Sequence, residues 1–481
     1  MMKNGKVMID DQDLSVEIGE AKRLGSQYAE SDHDLALVGG PVRDLMLGSH
    51  PKDFDMTTDA RPDVSERILK AWGSSFWNVG KKYGTIGAGR DVSNGVHMDV
   101  EVTTYRSDSY DGRSRKPAVK WGSSLEGDLH RRDFTMNAMA ITLPGMKLVD
   151  PFHGAEAIKN KIIMTPGSPY DSFNDDPLRM LRAVRFAGKL GFHLDGRVLD
   201  AIREMAPRLD EISRERVSDE LSKIMLSAHP VDALKLMMDS GLMDHVLPEF
   251  SELKRSDATS RGMHKLNYEH SLTVLENAIS MEDRLGNGPD LILRLSALLH
   301  DVGKARTRRF NGRRKVTFDQ HEFVGADMIR KRLRALKYPN DVVKTVSDLI
   351  GLHMRAHGYE SNGWTDSAVR RFVHEVGPLY DRLMILTRAD VTTSHASKKV
   401  RVMKSIDSLE AHVDKLWKMD DLNAVRPEID GNEIMKILQI RPGKIVGQCY
   451  RHMLEYRIVN GAVGHAAAVQ ELKRFYAEIA G

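Results

Sequence analysis

Two carboxylates one residue apart, Asp53 and Asp55, stand shortly after the run Gly39-Gly40-Pro41-Val42-Arg43-Asp44. On a strand, alternation puts both on one face, where they can converge on Mg²⁺. A pair of such ions would activate a 3′-hydroxyl and stabilise a departing pyrophosphate. An isolated Asp-x-Asp is more often a solvated turn. Here a strand–Gly-Gly–helix junction precedes it, letting a triphosphate approach the backbone closely at a helix N-terminus. A second constellation lies far downstream: His270, Leu299-His300-Asp301-Val302-Gly303-Lys304, then His321, His353, His357 and Asp390. Imidazole nitrogens and carboxylate oxygens suit a first-row divalent transition metal that activates water.

The elements that must hold these groups show in the flanking pattern. Residues from about 14 to 30 have helical spacing, and Leu35-Ala36-Leu37-Val38 is a short apolar run of buried-strand type. Gly39-Gly40 breaks it, and Pro41 sits at a helix start, where its missing N–H costs nothing. Asp53 to Thr58 reads as a strand, followed by helix signals at 62–72, strand signals near 76–90, and a strand from Val96 to Tyr105. On that last strand Asp99 and Glu101 share a face, so either is a third carboxylate or an ordinary solvent-facing residue. Residues 107–125, rich in Ser, Asp, Gly and Arg, read as a loop. Beyond Asp150-Pro151 and a turn at Pro166-Gly167 strand signals nearly vanish. Residues 174–250 and 262–481 read mainly as amphipathic helices, with Asn311-Gly312 marking a hairpin. The expected fold class is α+β, a mixed head followed by a long all-helical body.

At 481 residues the chain exceeds a single core and implies three or four domains. With 41% hydrophobic and 29% charged residues it reads as soluble and globular rather than disordered. The net charge of +3, from 71 basic and 68 acidic residues, does not by itself mark a nucleic-acid binder. Such a role needs Lys and Arg gathered on one surface. The helical run Arg330-Lys331-Arg332-Leu333-Arg334 would track a backbone of phosphates, although a charge run is usually a solvated face. A single cysteine, Cys449, excludes an internal disulfide and favours a reducing compartment. No apolar run approaches the ~18 residues of a membrane span and no secretory h-region is visible, so a cytoplasmic, membrane-free protein is expected.

Leu37-Val38-Gly39-Gly40-Pro41-Val42-Arg43-Asp44-Leu45-Met46-Leu47-Gly48 with Asp53-x-Asp55 resembles the opening motif of class II tRNA nucleotidyltransferases, within the polymerase β-like superfamily. The family's second motif is matched by Arg131-Arg132-Asp133-Phe134-Thr135-Met136-Asn137-Ala138. Its amino-acid template motif is matched by Asp175-Asp176-Pro177-Leu178-Arg179-Met180-Leu181-Arg182-Ala183-Val184-Arg185-Phe186, where the family usually has Glu-Asp at the start. The motifs come in the family's order and the resemblance continues to near the C-terminus, most like long bacterial and especially actinobacterial members. It implies an enzyme that adds or repairs the 3′-terminal CCA of tRNA from CTP and ATP, without a nucleic-acid template, with Mg²⁺ and release of pyrophosphate. It further implies that Gly40 and Arg43 touch nucleotide phosphates, that Asp53 and Asp55 are the catalytic metal ligands, and that Arg132 binds nucleotide. Arg132 or Arg131 could neutralise phosphate charge; alone, the Arg131-Arg132-Asp133 cluster would read as a surface ion-pair network. Tyr110-Asp111-Gly112-Arg113-Ser114-Arg115 resembles a flexible segment that helps the family switch from C to A.

The template motif also has a direct chemical reading. Residues three apart on a helix share a face, which would set Asp176 beside Arg179, with Arg182 and Arg185 repeating the spacing. A carboxylate only accepts hydrogen bonds and a guanidinium only donates them. Cytosine and adenine each show an amine donor beside a ring-nitrogen acceptor, whereas uracil and guanine show the reverse and would leave desolvated groups unpaired. An i,i+3 salt bridge on an exposed helix is the bland alternative.

His270, His300, Asp301 and Asp390 resemble the ligand set of the HD superfamily of metal-dependent phosphohydrolases, whose domains in this family occur with and without hydrolytic activity. The expected organisation is a nucleotidyltransferase head at 1–165, a helical neck with the nucleotide-selecting helix at 166–260, an HD-type domain at 261–395 and a helical C-terminal region at 396–481. The rivals are a bacterial poly(A) polymerase, partly echoed in Val79-Gly80-Lys81-Lys82-Tyr83, and an enzyme adding only CC or only A. An HD phosphohydrolase whose head merely binds nucleotides is a rival of another class; the paired Asp53 and Asp55 argue against it.

Overall fold

The computed structural model describes residues 2–3, 6–7, 12–51, 53–92, 96–109, 118–122, 124–258, 266–311, 315–359, 363–420 and 426–480. The segment 110–115 singled out above therefore lies outside the described residues. The chain divides into two compact units, Met1–Val246 and Leu247–Gly481. Among the described residues no helix is long and apolar enough to cross a membrane.

The first unit carries β1 (Met2–Lys3), β2 (Lys6–Val7), α1 (Gln12–Glu30), β3 (Leu35–Val38), α2 (Gly40–Met46), β4 (Phe54–Thr58), α3 (Pro62–Trp72), β5 (Ser75–Trp77), β6 (Thr85–Asp91) and β7 (His97–Thr104). There follow β8 (Arg106–Ser109), β9 (Ala118–Trp121), α4 (Leu125–His130), β10 (Ala140–Leu143), β11 (Lys147–Val149), α5 (Gly154–Lys159) and β12 (Ile162–Ile163). The helical remainder is α6 (Pro169–Asp175), α7 (Leu178–Leu190), β13 (His193–Leu194), α8 (Gly196–Met205), α9 (Arg214–Met225), α10 (Pro230–Asp239) and α11 (Leu242–Val246).

A nine-stranded mixed sheet runs β1-β2-β11-β10-β3-β4-β7-β6-β5, with β4 and β7 its one parallel pair. All four residues of β3 are buried, as an unbroken apolar strand in mid-sheet should be. Its antiparallel partner β10 was not evident from the sequence, because Ala140-Ile141-Thr142-Leu143 is too short to show alternation. The strand signals near 76–90 resolve into β5 and β6, joined through a single helical turn at Lys81–Tyr83. Alternation along β3 and β4 sorts their side chains. Ala36 and Val38 pack with Leu129, Ala138 and Ala140 on the α4 side. Ala36 stands opposite Thr57 in register, so Thr57 and Asp55 belong to that same face.

At the end of β3 the chain turns through Gly39, φ +73° and ψ −129°, into α2. A Cβ there would lie 2.9 Å from the Arg132 guanidinium and would displace it, while the backbone conformation itself favours glycine.

The second unit comprises α12 (Pro248–Ala258), α13 (Asn267–Ile279), α14 (Leu291–Leu299), α15 (Lys304–Thr307), β14 (Arg309–Asn311), β15 (Lys315–Thr317), α16 (His321–Ala335) and α17 (Asn340–Leu352). It ends with α18 (Asp366–Val376), α19 (Tyr380–Ala389), α20 (Ala396–Asp420), α21 (Gly431–Leu438), α22 (Lys444–Asn460) and α23 (His465–Ala480). β14 and β15 pair antiparallel on either side of the Asn-Gly signal. One apolar core gathers Val369, Phe372, Leu383, Leu409 and Val413; a second joins Ile434, Cys449, Met453 and Leu472. The basic run on α16 is largely neutralised: Arg332 bonds Glu249 at 3.0 Å, Lys331 pairs with Asp327 at 2.7 Å, and Arg330 stands 3.9 Å from Asp348.

Gly39→Ala is expected to cost about 1–3 kcal/mol through its backbone conformation and to push Arg132 aside. A lowered thermal midpoint, with Gly48→Ala as a control at another positive-φ but uncrowded glycine, checks this.

Candidate active sites in the two units

In the first unit two clefts meet at Asp55. One, about 310 Å³, is lined by Asp53, Phe54, Asp55, Trp77, Asp99 and Glu101. Glu101 stands beside Asp55 in the parallel β4–β7 register and accepts the Trp77 indole N–H at 3.3 Å. Asp99 is instead engaged by His97 at 3.2 Å. Desolvation in the cleft raises the Asp55 carboxyl above its ordinary value; Arg132 opposes the rise, and Glu101 and Asp53 add to it. A carboxylate disfavoured by its neighbours in this way is set to gain from a bound cation. Among the described residues, the head holds no trio of ligand atoms within 4.8 Å of one another. Asp53 and Asp55 thus form a pair with Glu101 as the nearer companion.

The other cleft, about 380 Å³, continues from Asp55 past Val38 and Thr103 to Arg106, Arg131, Arg132, Asp133, Asp176, Arg179, Arg182 and Arg216. Asp128, fully buried beneath it, accepts from Arg131 Nε at 3.0 Å and Arg132 Nη2 at 3.1 Å. Burial works against its ionisation, but the two guanidiniums outweigh that and hold its carboxyl below the ordinary value. Asp133 follows the same pattern, with burial opposed by Arg182, whose Nε bonds it at 2.9 Å. Arg132 keeps a buried Nε with no hydrogen-bond partner among the described residues.

The template pair arrives by a different route from the one its spacing suggests. Asp176 is not on the helix of Arg179. It lies in extended conformation, φ −146°, between α6 and α7, because the following Pro177 disfavours helical geometry at the residue before it. Its carboxylate takes the Leu178 N–H at 3.1 Å and Arg216 Nη2 at 2.6 Å. Arg179 donates to Ser172 Oγ at 2.8 Å and to the Arg131 carbonyl at 2.7 Å. Both still line the one cleft.

Two expected contributors sit elsewhere. Arg43 is 4% exposed and donates to Asp44 and Asn137 at 2.7–2.8 Å, with Phe186 beneath it. It braces α2 rather than projecting into the cleft. Arg185 does not share the face of Arg179 and Arg182; it pairs with Glu220 at 2.6 Å and packs 4.1 Å over Phe186. Gly40 begins α2 at the cleft margin. Arg216 was invisible to sequence reasoning, since nothing in its spacing ties α9 to residue 176. Trp77 likewise carried no signal beyond being one of five tryptophans.

In the second unit His270 on α13, His300 and Asp301 after α14, His321 opening α16, His353 closing α17 and Asp390 after α19 converge in the interior. They form two trios of possible metal ligands, His270/His300/Asp390 and Asp301/His321/His353, each within 4.8 Å. Asp301 faces both: its oxygens lie 3.4 Å from His270, 3.3 Å from His300 and 3.3 Å from His321. His321 and His353, only supporting signals in the sequence, thus join the four expected residues.

The outer nitrogens fix the rings. His300, His321 and His353 each direct Nδ1 at a main-chain carbonyl three residues back, at 2.7–2.9 Å, and His270 Nδ1 meets Thr392 Oγ1 at 2.8 Å. The Nε2 atoms then point inward, where they can ligate a metal once unprotonated. Among the described residues, buried His300 Nε2 and Asp301 Oδ1 have no hydrogen-bond partner, so the donor set fits a divalent cation.

Without a cation the charge is carried by a proton. Burial resists charging His300, but Asp301 and Asp390 prevail and push it up to about 10. Burial, and then that neighbouring charge, push His353 down to about 3. A cavity of about 360 Å³ opens at Asp390 and His357, lined also by Thr392, Thr393, Lys398 and Val402.

Residues 35–164 match the "Poly A polymerase head domain" family, 191–254 the "Probable RNA and SrmB- binding site of polymerase A", and 267–395 the "HD domain". The A-adding tRNA nucleotidyltransferase of Deinococcus radiodurans is 31% identical over 453 residues, covering 92% of this chain and 94% of that protein. The CCA-adding enzyme of Geobacillus sp. (strain WCH70) is 43% identical over 224 residues, 46% of this chain and 53% of its own length. The crystal structure of the Bacillus stearothermophilus CCA-adding enzyme in complex with CTP shares the fold, with TM-score 0.66, 24% identity, and 96% and 98% of the two chains covered.

The shared position of Asp301 gives a metal-counting test. Elemental analysis after loading with Mn²⁺ or Co²⁺ is expected to find two ions per chain, one for each trio. Asp301→Ala should lose both and His321→Ala one. A wild-type protein that retains none would reduce the cluster to an internal ion-pair network.

Proposed function

Because the chain belongs to the class II tRNA nucleotidyltransferase family, we propose that it completes the 3′-terminal CCA of tRNA. The 3′-hydroxyl of the acceptor attacks the α-phosphate of CTP and then of ATP, and pyrophosphate leaves. The observation that carries this reading is one continuous cleft leading from Asp55 to Asp176 and Arg179. That cleft holds Asp55, one of the two carboxylates expected to bear the metal, together with the groups able to read C and A.

Asp53 and Asp55 would hold Mg²⁺, which supplies charge neutralisation at the reacting phosphate and a more acidic 3′-hydroxyl. Arg132, with its free buried Nε, together with Arg131 and Arg106, offers fixed positive charge to the triphosphate. Gly39-Gly40 lets the phosphates come close to the backbone, while Arg43 keeps that junction rigid from beneath. Asp176 accepts the exocyclic amine of C or A, and Arg179 donates to the adjacent ring nitrogen. Arg182 stays on Asp133 and shapes the floor, and Arg185 supports it through Phe186. With no nucleophilic side chain involved, catalysis rests on positioning and preorganised charge.

The Deinococcus relative, matched along nearly its whole length, is named for adding A alone. That gives the partial-addition reading a specific footing. Purified protein supplied with tRNAs ending before C, after the first C and after CC, with CTP and ATP given separately, distinguishes them by product sequencing. Successive C, C and A additions are expected; A addition only to the CC end would make it an A-adding enzyme.

For the second unit we infer a phosphohydrolase centre, since six inward-facing ligands and an adjoining cavity exceed what structural ion pairs require. Bound first-row metal would supply an activated water to a phosphoester. His300→Ala with Asp301→Ala should remove metal and phosphoesterase activity yet spare nucleotide addition.

Asp53→Ala or Asp55→Ala is expected to abolish nucleotide addition with tRNA affinity retained; near-normal incorporation at limiting Mg²⁺ would refute the assignment. Asp176→Ala and Arg179→Ala should each cost about 1–3 kcal/mol of discrimination, roughly ten- to a hundredfold in relative kcat/KM, with UTP or GTP entering more often. Equal loss for all four nucleotides would make them structural.

A further inference from the structure

The carboxylate cleft has a wall that nucleotide binding does not use. Trp77, at the end of β5, enters it beside Asp53, Asp55, Asp99 and Glu101. The indole can lie there only because residue 87 on β6 is glycine. A Cβ at Gly87 would fall 2.0 Å from Trp77 Nε1. Beyond Trp77 the connection to β6 stays open to solvent. Val79 is 88% exposed and Tyr83 is exposed, with the Lys82 ammonium 4.8 Å over its ring. Lys81 is held by Asp63 and Glu66 at 2.6 Å each. Lys82 has no ion-pair partner among the described residues.

We propose that this cleft and the connection 77–83 receive the single-stranded 3′ end of the acceptor RNA, with its terminal base stacked on Trp77. The inference rests on the nucleotidyl-transfer reading and adds the acceptor site to it.

Three arguments converge. In-line displacement needs the attacking hydroxyl and the leaving pyrophosphate on opposite sides of the α-phosphate. With the arginines of the second cleft on the triphosphate, the hydroxyl must enter from the other side of Asp55, which is the Trp77 cleft. Next, with Asp53 and Asp55 given to the metal, Asp99 and Glu101 are left in the cleft to accept hydrogen bonds from the hydroxyls of a terminal ribose. Finally, aromatic rings with an interleaved cation are the usual platform for single-stranded nucleic acid, and stacking tolerates whichever base is terminal. That tolerance is needed where the last base changes at each addition.

The test uses full-length protein and tRNA lacking its final A, with 2-aminopurine as the terminal base. Wild type is expected to quench the probe, as is Trp77→Phe, which keeps a π-face. Trp77→Leu, which fills similar space without one, should not. Its KM for tRNA should rise roughly tenfold to a hundredfold while KM for ATP stays near wild type. Lys82→Ala should raise KM for tRNA most at low salt. An active enzyme whose Trp77→Leu variant quenches the probe and keeps its KM for tRNA would overturn this inference alone. A wild type that transfers no nucleotide to any tRNA would overturn the family-level reading and the acceptor site with it.

Discussion

The head is organised around a charge it cannot expose. Asp128 lies wholly inside the protein, and an unpaired carboxylate there would cost several kcal/mol. It is kept ionised by Arg131 and Arg132 and reached by Thr57 Oγ1 at 3.4 Å and the Arg106 N–H at 3.4 Å. Those four partners come from α4's end, β4 and the start of β8. The same anion therefore ties together the strand that bears Asp55 and the guanidiniums that face it. Arg132, pulled down onto Asp128, passes so close to Gly39 that a side chain there would have to displace it. The glycine of the strand–helix junction is thus fixed by packing as much as by phosphate approach.

The second unit meets the same problem with exchangeable charge. Asp301 is as buried as Asp128, but its neighbours are imidazoles and one lysine, Lys304, at 2.6 Å. A guanidinium stays charged at any relevant pH, so the head's cleft is a permanent cationic surface suited to a triphosphate that comes and goes. An imidazole gives up its proton to a metal. The raised His300 and lowered His353 describe a cluster in which one imidazole carries the proton and keeps its neighbour from taking a second, and a divalent ion would displace that proton. The arginine cleft of one unit offers fixed cations, and the buried cluster of the other offers exchangeable ones.

What the sequence revealed follows from how local each signal is. The carboxylate pair, the Gly-Gly junction and the His-Asp dipeptide are each written within a few residues, and each lies where its spacing placed it. Interactions across long separations were not legible. Arg216 reaches Asp176 from 40 residues away, Glu220 claims Arg185 from 35, and Asn137 claims Arg43 from 94. The last two engage arginines that their motifs would have sent to the nucleotide, and the first adds an arginine that no motif contains. The helical face drawn for Asp176 and Arg179 failed for a local reason, since Pro177 breaks the helix between them. β10 escaped notice because four residues cannot establish a period.

That break has a consequence for base selection. On one helix Asp176 and Arg179 would lie side by side and satisfy each other. Set apart by Pro177, each is anchored separately: Asp176 by the Leu178 N–H and Arg216, Arg179 by Ser172 and the Arg131 carbonyl. Neither anchor exhausts its group, because each carboxylate oxygen has a second lone pair and a guanidinium has five N–H donors. The pair can then meet a base edge without first dissociating, and the reading groups are held in place before the nucleotide arrives. A rigid acceptor and a rigid donor cannot rearrange to suit uracil or guanine. The cost of a wrong base is then the full desolvation of unpaired groups rather than a small adjustment. On the proposed reading, selectivity without a nucleic-acid template would draw on that anchoring, which for Asp176 comes from the break at Pro177 and from Arg216 on another helix.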